Sequence, residues 1–329
     1  MKKVFATLLT LCLLLCLAAC GEPAATTAAP TTEADTSVEL VTAYECDNST
    51  SMGAFSMGFA YESDYRSGSM TMLKEDEEAP GTFTCDENYN INHMEIQLDL
   101  VDDQYTLLVI DCTFDDAHRL LSAKVLIRSG EKEELRYSAE YAYDSQGHRT
   151  KSKIEVPGMY TSEAIVEYRE DGQVLRQITT VQSGSAVAAN TSVVAYEYDE
   201  NGHMKSIKMY DENDQLLQEL PATYEVKEDG TYYTLAEGNN KIVMVVNDKG
   251  QAVRQETYTA GELMVRIAST YDDAGRLIRS EQWSAYNDTT IVNSYAYSAD
   301  GRLQEQKTEE NGEEKVAVRT TFQTVEIAK

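Results

Sequence analysis

Four histidines occur among 329 residues, and their spacing bears on several enzyme classes at once. A zinc enzyme brings imidazoles together, commonly two of them four residues apart on a helix. His93, His118, His148 and His203 show no such spacing, and HExxH does not occur. His148 and His203 each follow the glycine of a Tyr-Asp turn, and a position repeated in this way points to a structural or solvent-facing role. His93 falls on the polar face of a strand, and His118 sits beside Asp115 and Asp116. There is no GxSxG, no P-loop and no GxGxxG following a strand. With 56 acidic residues, any pair chosen for glycoside hydrolysis is arbitrary. Asp211-Glu-Asn-Asp-Gln215 starts like a calcium loop, but Leu216 occupies the place of the required glycine, so a hairpin turn is the better reading. The sequence therefore assigns no catalytic residue, no metal ligand and no cofactor, and the chain is read as a non-enzyme. A hydrolase whose site is assembled from distant residues is the remaining catalytic alternative.

Two further residue sets bear on binding and redox chemistry. Trp283 is the only tryptophan. With strand tyrosines such as Tyr196, Tyr198, Tyr295 and Tyr297 it could form a flat aromatic platform for sugars, which makes Trp283, Tyr295 and Tyr297 the candidate ligand contacts. The competing reading is that these rings cover neighbouring strands. Beyond residue 20 the cysteines are Cys46, Cys85 and Cys112, spaced 39 and 27 residues apart. Three cysteines allow at most one internal disulfide, the spacing is not that of a zinc site, and small buried apolar residues are the simpler reading.

The elements that must carry these residues alternate with period two. In 53–62 the apolar face is Phe55, Met57, Phe59 and Tyr61, and in 93–100 it is Met94, Ile96, Leu98 and Leu100. Segments 119–128, 263–271 and 291–297 repeat the pattern, and no long stretch has helical period. These are half-buried antiparallel strands. From Gly147 to Gly301 the turn glycines follow at steps of 25, 30, 28, 20, 25 and 26 residues, an internal repeat of two strands and two turns. The fold class is all-β: a meander of hairpins forming a long twisted or curled sheet. Residues 38–130 form an N-terminal β region rich in methionine and without the Tyr-Asp turn, read as the degenerate opening of the same sheet. Residues 131–329 form the repeat region. Glu75-Asp-Glu-Glu78 with Pro80-Gly81 reads as a solvated loop.

Tyr271-Asp272-Asp-Ala-Gly275-Arg276-Leu277 resembles the YD repeat of Rhs-like bacterial surface proteins. Tyr297-Ser298-Ala-Asp-Gly301-Arg302-Leu303 is close to it, and the turns at Tyr143 and Tyr198 keep Tyr, Asp and Gly with histidine in the place of arginine. The resemblance implies antiparallel sheets that wind into shells and that bind carbohydrate or enclose a toxin. With far fewer repeats than such shells contain, this chain is expected not to close.

The N-terminus carries the address. Lys2 and Lys3 precede an apolar run from Val4 to Leu17, too short to span a bilayer, and Leu17-Ala-Ala-Cys20 resembles the lipobox of bacterial lipoproteins. That resemblance implies removal of residues 1–19 and a diacylglycerol thioether on Cys20. Residues 20–37 are then the lipidated cysteine and an Ala/Thr/Pro tether. Losing Lys2 and Lys3 takes the formal charge from −28 to −30, which argues against nucleic acid and anionic lipid as partners. The reading is a lipid-anchored, extracytoplasmic protein held to the membrane through Cys20. It displays a non-catalytic sheet to an extracellular or envelope partner, a carbohydrate or an envelope protein. The alternative from a different class is a lipid carrier, with Phe55, Met57 and Phe59 lining an open cavity.

Overall fold

The computed structural model describes residues 37–48, 54–74, 77–101, 104–184, 189–298 and 301–326. Cys20, the preceding signal and the tether up to residue 36 lie outside the described residues. Alternation of apolar and polar residues is converted everywhere into strand. The first third contains β1 (Ser37–Asn48), β2 (Phe55–Tyr61), β3 (Ser67–Lys74), β4 (Glu77–Cys85), β5 (Ile91–Val101), β6 (Gln104–Phe114) and β7 (Leu120–Ser129). The next strands are β8 (Lys132–Tyr143), β9 (Arg149–Val156), β10 (Tyr160–Tyr168), β11 (Val174–Ser183), β12 (Asn190–Tyr198), β13 (Met204–Tyr210), β14 (Leu216–Lys227) and β15 (Gly230–Glu237). The last are β16 (Asn240–Val246), β17 (Ala252–Thr259), β18 (Glu262–Tyr271), β19 (Leu277–Ser284), β20 (Thr289–Tyr297), β21 (Leu303–Glu310) and β22 (Glu313–Glu326).

Each strand pairs antiparallel with the next, and the sheet runs through residues 129–132 without a break, since β7 pairs with β8 from Ser129↔Lys132 to Ser122↔Glu140. The expectation of an open sheet is corrected at its ends. β1 pairs from end to end with residues 316–326 of β22, from Ser37↔Glu326 to Asn48↔Val316, so the meander closes into a 22-stranded barrel. Repeats alone undercounted the wall, because residues 37–129 contribute seven strands to it.

Closure gives the sheet an inside, and the first half of the wall fills it. Tyr44, Met57, Met70, Phe83, Ile96, Leu108, Val125, Tyr137 and Val156 form one buried cluster with Val318 of β22. Phe59 and Tyr61 both meet the Phe83 ring edge-on, at 5.4 and 4.8 Å between centroids. Phe55, Met57 and Phe59 are only 6, 1 and 8% exposed. The open cavity that a lipid carrier would need at these three residues is therefore filled by packed side chains. Cys46, Cys85 and Cys112 form no disulfide among the described residues. Burial pushes the Cys46 thiol up to about 11 and the Cys85 thiol up to about 12, which keeps both protonated and unreactive at neutral pH.

The acidic segment at 77–81 is strand and not loop. Ala79 and Gly81 pair with Met72 and Met70, and Ala79 packs against the core. The β4–β5 ladder begins at Gly81↔Ile96, so Pro80, which has no N–H to give, has no partner on β5. Gly68 is needed for the opposite reason. A Cβ on it would lie 2.2 Å from the Ala60 carbonyl oxygen and 2.7 Å from the Phe83 ring, whereas a Cβ on Gly58 would meet nothing within 4 Å. Gly68→Ala is expected to cost about 1–3 kcal/mol through overpacking. Gly58→Ala should be neutral or stabilising by a few tenths of a kcal/mol. Urea unfolding of the two variants side by side checks the difference.

Candidate functional site: the turn rim and the wet half of the interior

The barrel has two rims. The rim that carries Ser37 and Glu326 also carries the turns that join β4–β5, β6–β7, β8–β9, β10–β11, β12–β13, β16–β17, β18–β19 and β20–β21. Each is a five-residue turn of one geometry. The first residue's N–H donates to the fifth residue's carbonyl, and the fourth residue's N–H donates to the first residue's carbonyl, as in Asp272–Arg276 (2.9 and 2.9 Å) and Asp144–His148 (2.9 and 3.1 Å). A short acceptor at the first position takes the fifth N–H: Asp86, Asp115, Asp144, Asp199, Asn247 and Asp272 use Oδ1 and Ser298 uses Oγ. The fourth residue needs positive φ. Glycine supplies it at Gly275 (83°) and Gly147 (94°), while Tyr89 (63°) and His118 (60°) adopt it in the first third of the chain. The N-terminal region thus has the same turn, disguised by those two residues.

Successive turns are tied together by the tyrosine that precedes the first residue of the turn. The hydroxyls of Tyr143, Tyr168, Tyr198, Tyr271 and Tyr297 donate to the carbonyls of Leu120, Arg149, Val174, Ala252 and Leu277, at 2.6–3.2 Å. Each acceptor lies one residue past the preceding five-residue turn on this rim. For Tyr143, Tyr168 and Tyr297 the fifth residue of that preceding turn covers the ring, whereas Tyr198 lies under Arg169, the first residue of its preceding turn. Arg119 lies 4.6 Å over Tyr143, His148 stacks 4.7 Å from Tyr168, and Arg276 lies 4.8 Å over Tyr297. His148 also hydrogen-bonds Asp144 through Nδ1 at 2.9 Å, and His203 stacks on Tyr224 at 4.1 Å. His118 bonds Asn90 at 2.8 Å, and His93 lies on the outer face with Nδ1 2.6 Å from Asp111. All four histidines are engaged at the rim or outside the wall.

The inner face changes character beyond the packed half. Along β17–β21 the inward positions include Gln255, Thr257, Ser269, Ser280, Gln282, Asn293, Gln306 and Thr308, interleaved with Val265, Ile267, Ile291 and Tyr295. The outward positions on the same strands are Arg254, Glu256, Arg266, Arg279, Glu281, Glu305 and Lys307. Gln282 is exposed and Ser269, Ser280, Asn293, Gln306 and Thr308 are half-buried, so water reaches this face of the wall. Ser269, Ser280, Asn293 and Thr308 stand opposite one another on four consecutive strands, and Thr308 donates to Asn293 Oδ1 at 2.8 Å.

The three candidate contact residues are not brought together. Trp283 pairs with Arg266 and Thr290 on the outer face, half-buried, with Nε1 donating to Asp288 at 3.4 Å. Tyr295 and Tyr297 stand on the inner face, five and seven residues beyond Thr290, and the Tyr297 hydroxyl is held by the rim ladder. Tyr196 and Tyr198 also point inward and pack against Met204, Tyr233 and Leu235. A single platform of Trp283 with these tyrosines does not exist, because strand alternation puts them on opposite sides of the wall. The inward polar row went unnoticed in the sequence, although alternate Ser, Asn, Gln and Thr in 269–308 is its signature.

No family model matches the chain, and no curated protein does. Among solved structures, a porin-like protein from Bacteroides uniformis ATCC 8492 shares 10% identity at a TM-score of 0.28, covering 70% of this chain and 95% of its own. The Photorhabdus luminescens Tc holotoxin pore with a TccC3 variant shares 10% identity at 0.21, covering 86% of this chain and 18% of its own. The TcdB2-TccC3-Cdc42 structure shares 11% at 0.19, covering 78% and 17%. The chain spans less than a fifth of those two Tc chains, and likeness at these scores assigns no function.

The rim carboxylates make the barrel acid-sensitive. Asp199 is held below the usual carboxylate range, first by the His203 backbone N–H. For Asp144 and Asp272 burial acts upward, but hydrogen bonds from His148 and Arg276 outweigh it and hold both low. A carboxylate depressed in the folded state stabilises at pH values above its unfolded pKa of about 3.9, and that stability is lost as pH falls through the folded pKa. Thermal midpoints should therefore fall below about pH 4. The triple variant Asp144→Asn, Asp199→Asn, Asp272→Asn should start lower at pH 7 and show a flatter acid limb in a pH series of melting curves.

Proposed function

We propose that the chain is a lipid-anchored, extracytoplasmic binding protein, non-catalytic, whose barrel takes an uncharged envelope or extracellular ligand of the glycan class into the wet half of its interior. The observation that carries this reading is the sorting of charge along β17–β21: away from the strand ends the ionised side chains stand outside and hydroxyl, amide and apolar side chains inside, with Glu310 at the end of β21 the inward exception. A lumen of that composition offers paired donors and acceptors at no charge-desolvation cost, which suits a polyol. The histidines lie away from it, which favours binding over acid–base chemistry.

The outer face supports anchoring by lipid over insertion of the wall. Cross-strand ion pairs stud it mid-strand, including Lys151–Glu163 at 2.9 Å, Lys208–Glu197 at 2.5 Å and Arg319–Glu305 at 2.8 Å. A membrane-spanning barrel carries an apolar band outward and polar residues inward, the reverse of the packed half here. No helix among the described residues is long and apolar enough to cross a membrane. The lipid on Cys20 then supplies the membrane contact, and Ser37 enters the barrel at the rim of the five-residue turns.

Two measurements test this. Cys20→Ala should move the protein from the membrane fraction into the periplasm or medium, and continued membrane association would overturn the anchor. In native gels cast with neutral polysaccharides, the purified protein should be retarded by at least one glycan. Unaltered migration across a panel of glucans, mannans and galactans would overturn the ligand class.

A further inference from the structure

Resting on that reading, we infer that the ligand is an oligosaccharide lying across strands β18–β21 on the inner face, one sugar to each strand, along the row Ser269, Ser280, Asn293 and Thr308. The register places these four opposite one another on consecutive strands. Neighbouring strands lie roughly 4.8 Å apart, close to the advance of one pyranose along an extended chain. Along a strand, like-facing residues recur every roughly 6.7 Å, which does not match it. The row therefore sets both the direction of the ligand and the number of its units.

The chemistry of the row fits sugar hydroxyls. Serine, threonine and asparagine both donate and accept, as each sugar hydroxyl does. Thr308 donates its proton to Asn293 Oδ1, which fixes the amide and leaves its NH₂ group to donate into the lumen and the Thr308 oxygen to accept. The next row, Ile267, Gln282 and Ile291, alternates aliphatic and amide groups and gives the apolar edge of a pyranose a surface, and on β21 it ends at the exposed Glu310. At the β22 end the polar row stops at Val316, which packs against the buried cluster, so the chain of subsites ends there. A formal charge of −28 disfavours anionic glycans, while a neutral chain meets no such field.

Isothermal titration of the purified full-length protein with neutral gluco- and manno-oligosaccharides of two to six units tests the row. Affinity should rise to four units and then level off, and uronic-acid oligomers of the same length should not bind. Asn293→Ala should weaken binding about tenfold. Ser280→Ala and Gln282→Ala, which leave small or surface-reaching sites, should weaken it several-fold, and far-UV circular dichroism reports whether each variant is folded. Trp283→Ala, on the outer face, should leave affinity within about twofold, the range of a residue that makes no contact. Neutral oligosaccharides that bind with unchanged affinity to Ser280→Ala, Gln282→Ala and folded Asn293→Ala would overturn the row and leave the glycan reading standing. Absence of binding by every neutral oligomer would overturn both.

Discussion

The seam between β22 and β1 is the constraint on which the rest of the molecule depends. An open meander presents unpaired N–H and C=O groups on its first and last strands, and a long acidic sheet with two such edges would pair with copies of itself. Eleven residue pairs close that gap here. Closure also divides the residues of every strand into inside and outside, and it does so around a wall of twenty-two strands. A round barrel of that size holds water, because side chains cannot reach across it. The interior is dry where large residues are concentrated, in the methionine- and aromatic-rich wall from β1 to β9 with β22 and in a smaller cluster around Met204, Tyr233 and Leu235. There the wall draws together and behaves as a core. Along β17–β21 the inward residues are smaller and polar, and water reaches them.

The turn rim explains how so many strands keep register with no helix or disulfide among the described residues to brace them. In each repeat letter a separate requirement is met. The aspartate satisfies backbone N–H groups that a five-residue turn would otherwise expose. The glycine takes the left-handed conformation, and the tyrosine hydroxyl reaches the strand of the preceding hairpin. The following arginine or histidine then covers that ring. The tyrosine hydroxyl thus ties one repeat to the one before it, and its bond to a backbone carbonyl is independent of side-chain identity in the neighbour. This is why the flanking letters drift, to Arg169, Asn247 or Ser298 at the first position, while the geometry persists.

Strands, alternation and turns were legible because each is written locally. Phe55, Met57 and Phe59 share a face in the sequence and share it in the fold. Closure was not legible, since nothing near Ser37 or Glu326 says that their strands will meet. The N-terminal turns were hidden for a different reason. Tyr89 and His118 pay a small steric cost to stand where glycine usually does, and a search for glycine passes over them. The candidate site failed on parity across strands. Trp283 and Tyr295 each lie on a clear strand, but their faces are set by the pairing Trp283↔Thr290, from which Tyr295 is an odd number of residues away and so turns to the other side. Which residues share a face then follows only from the paired register.

Why the wet wall should be neutral inside follows from the cost of the alternatives. Large apolar residues there would draw the wall together, as they do from β1 to β9, and no lumen would remain. Ionised residues would keep it open but would demand partners inside a confined space of reduced dielectric. Hydroxyl and amide groups hold water without either consequence, and a sugar hydroxyl replaces that water at little cost when it reproduces the same bonds. The ions displaced from the lumen then stand on the outer face, where they are solvated. Their field acts on what approaches. It opposes anions over roughly 8–10 Å at ordinary salt and fades as salt rises, while a neutral chain is indifferent to it. On the proposed reading, selection against charge is made outside the wall and recognition of hydroxyls inside it, so that one sorting of side chains across a closed sheet would serve both an open lumen and ligand choice.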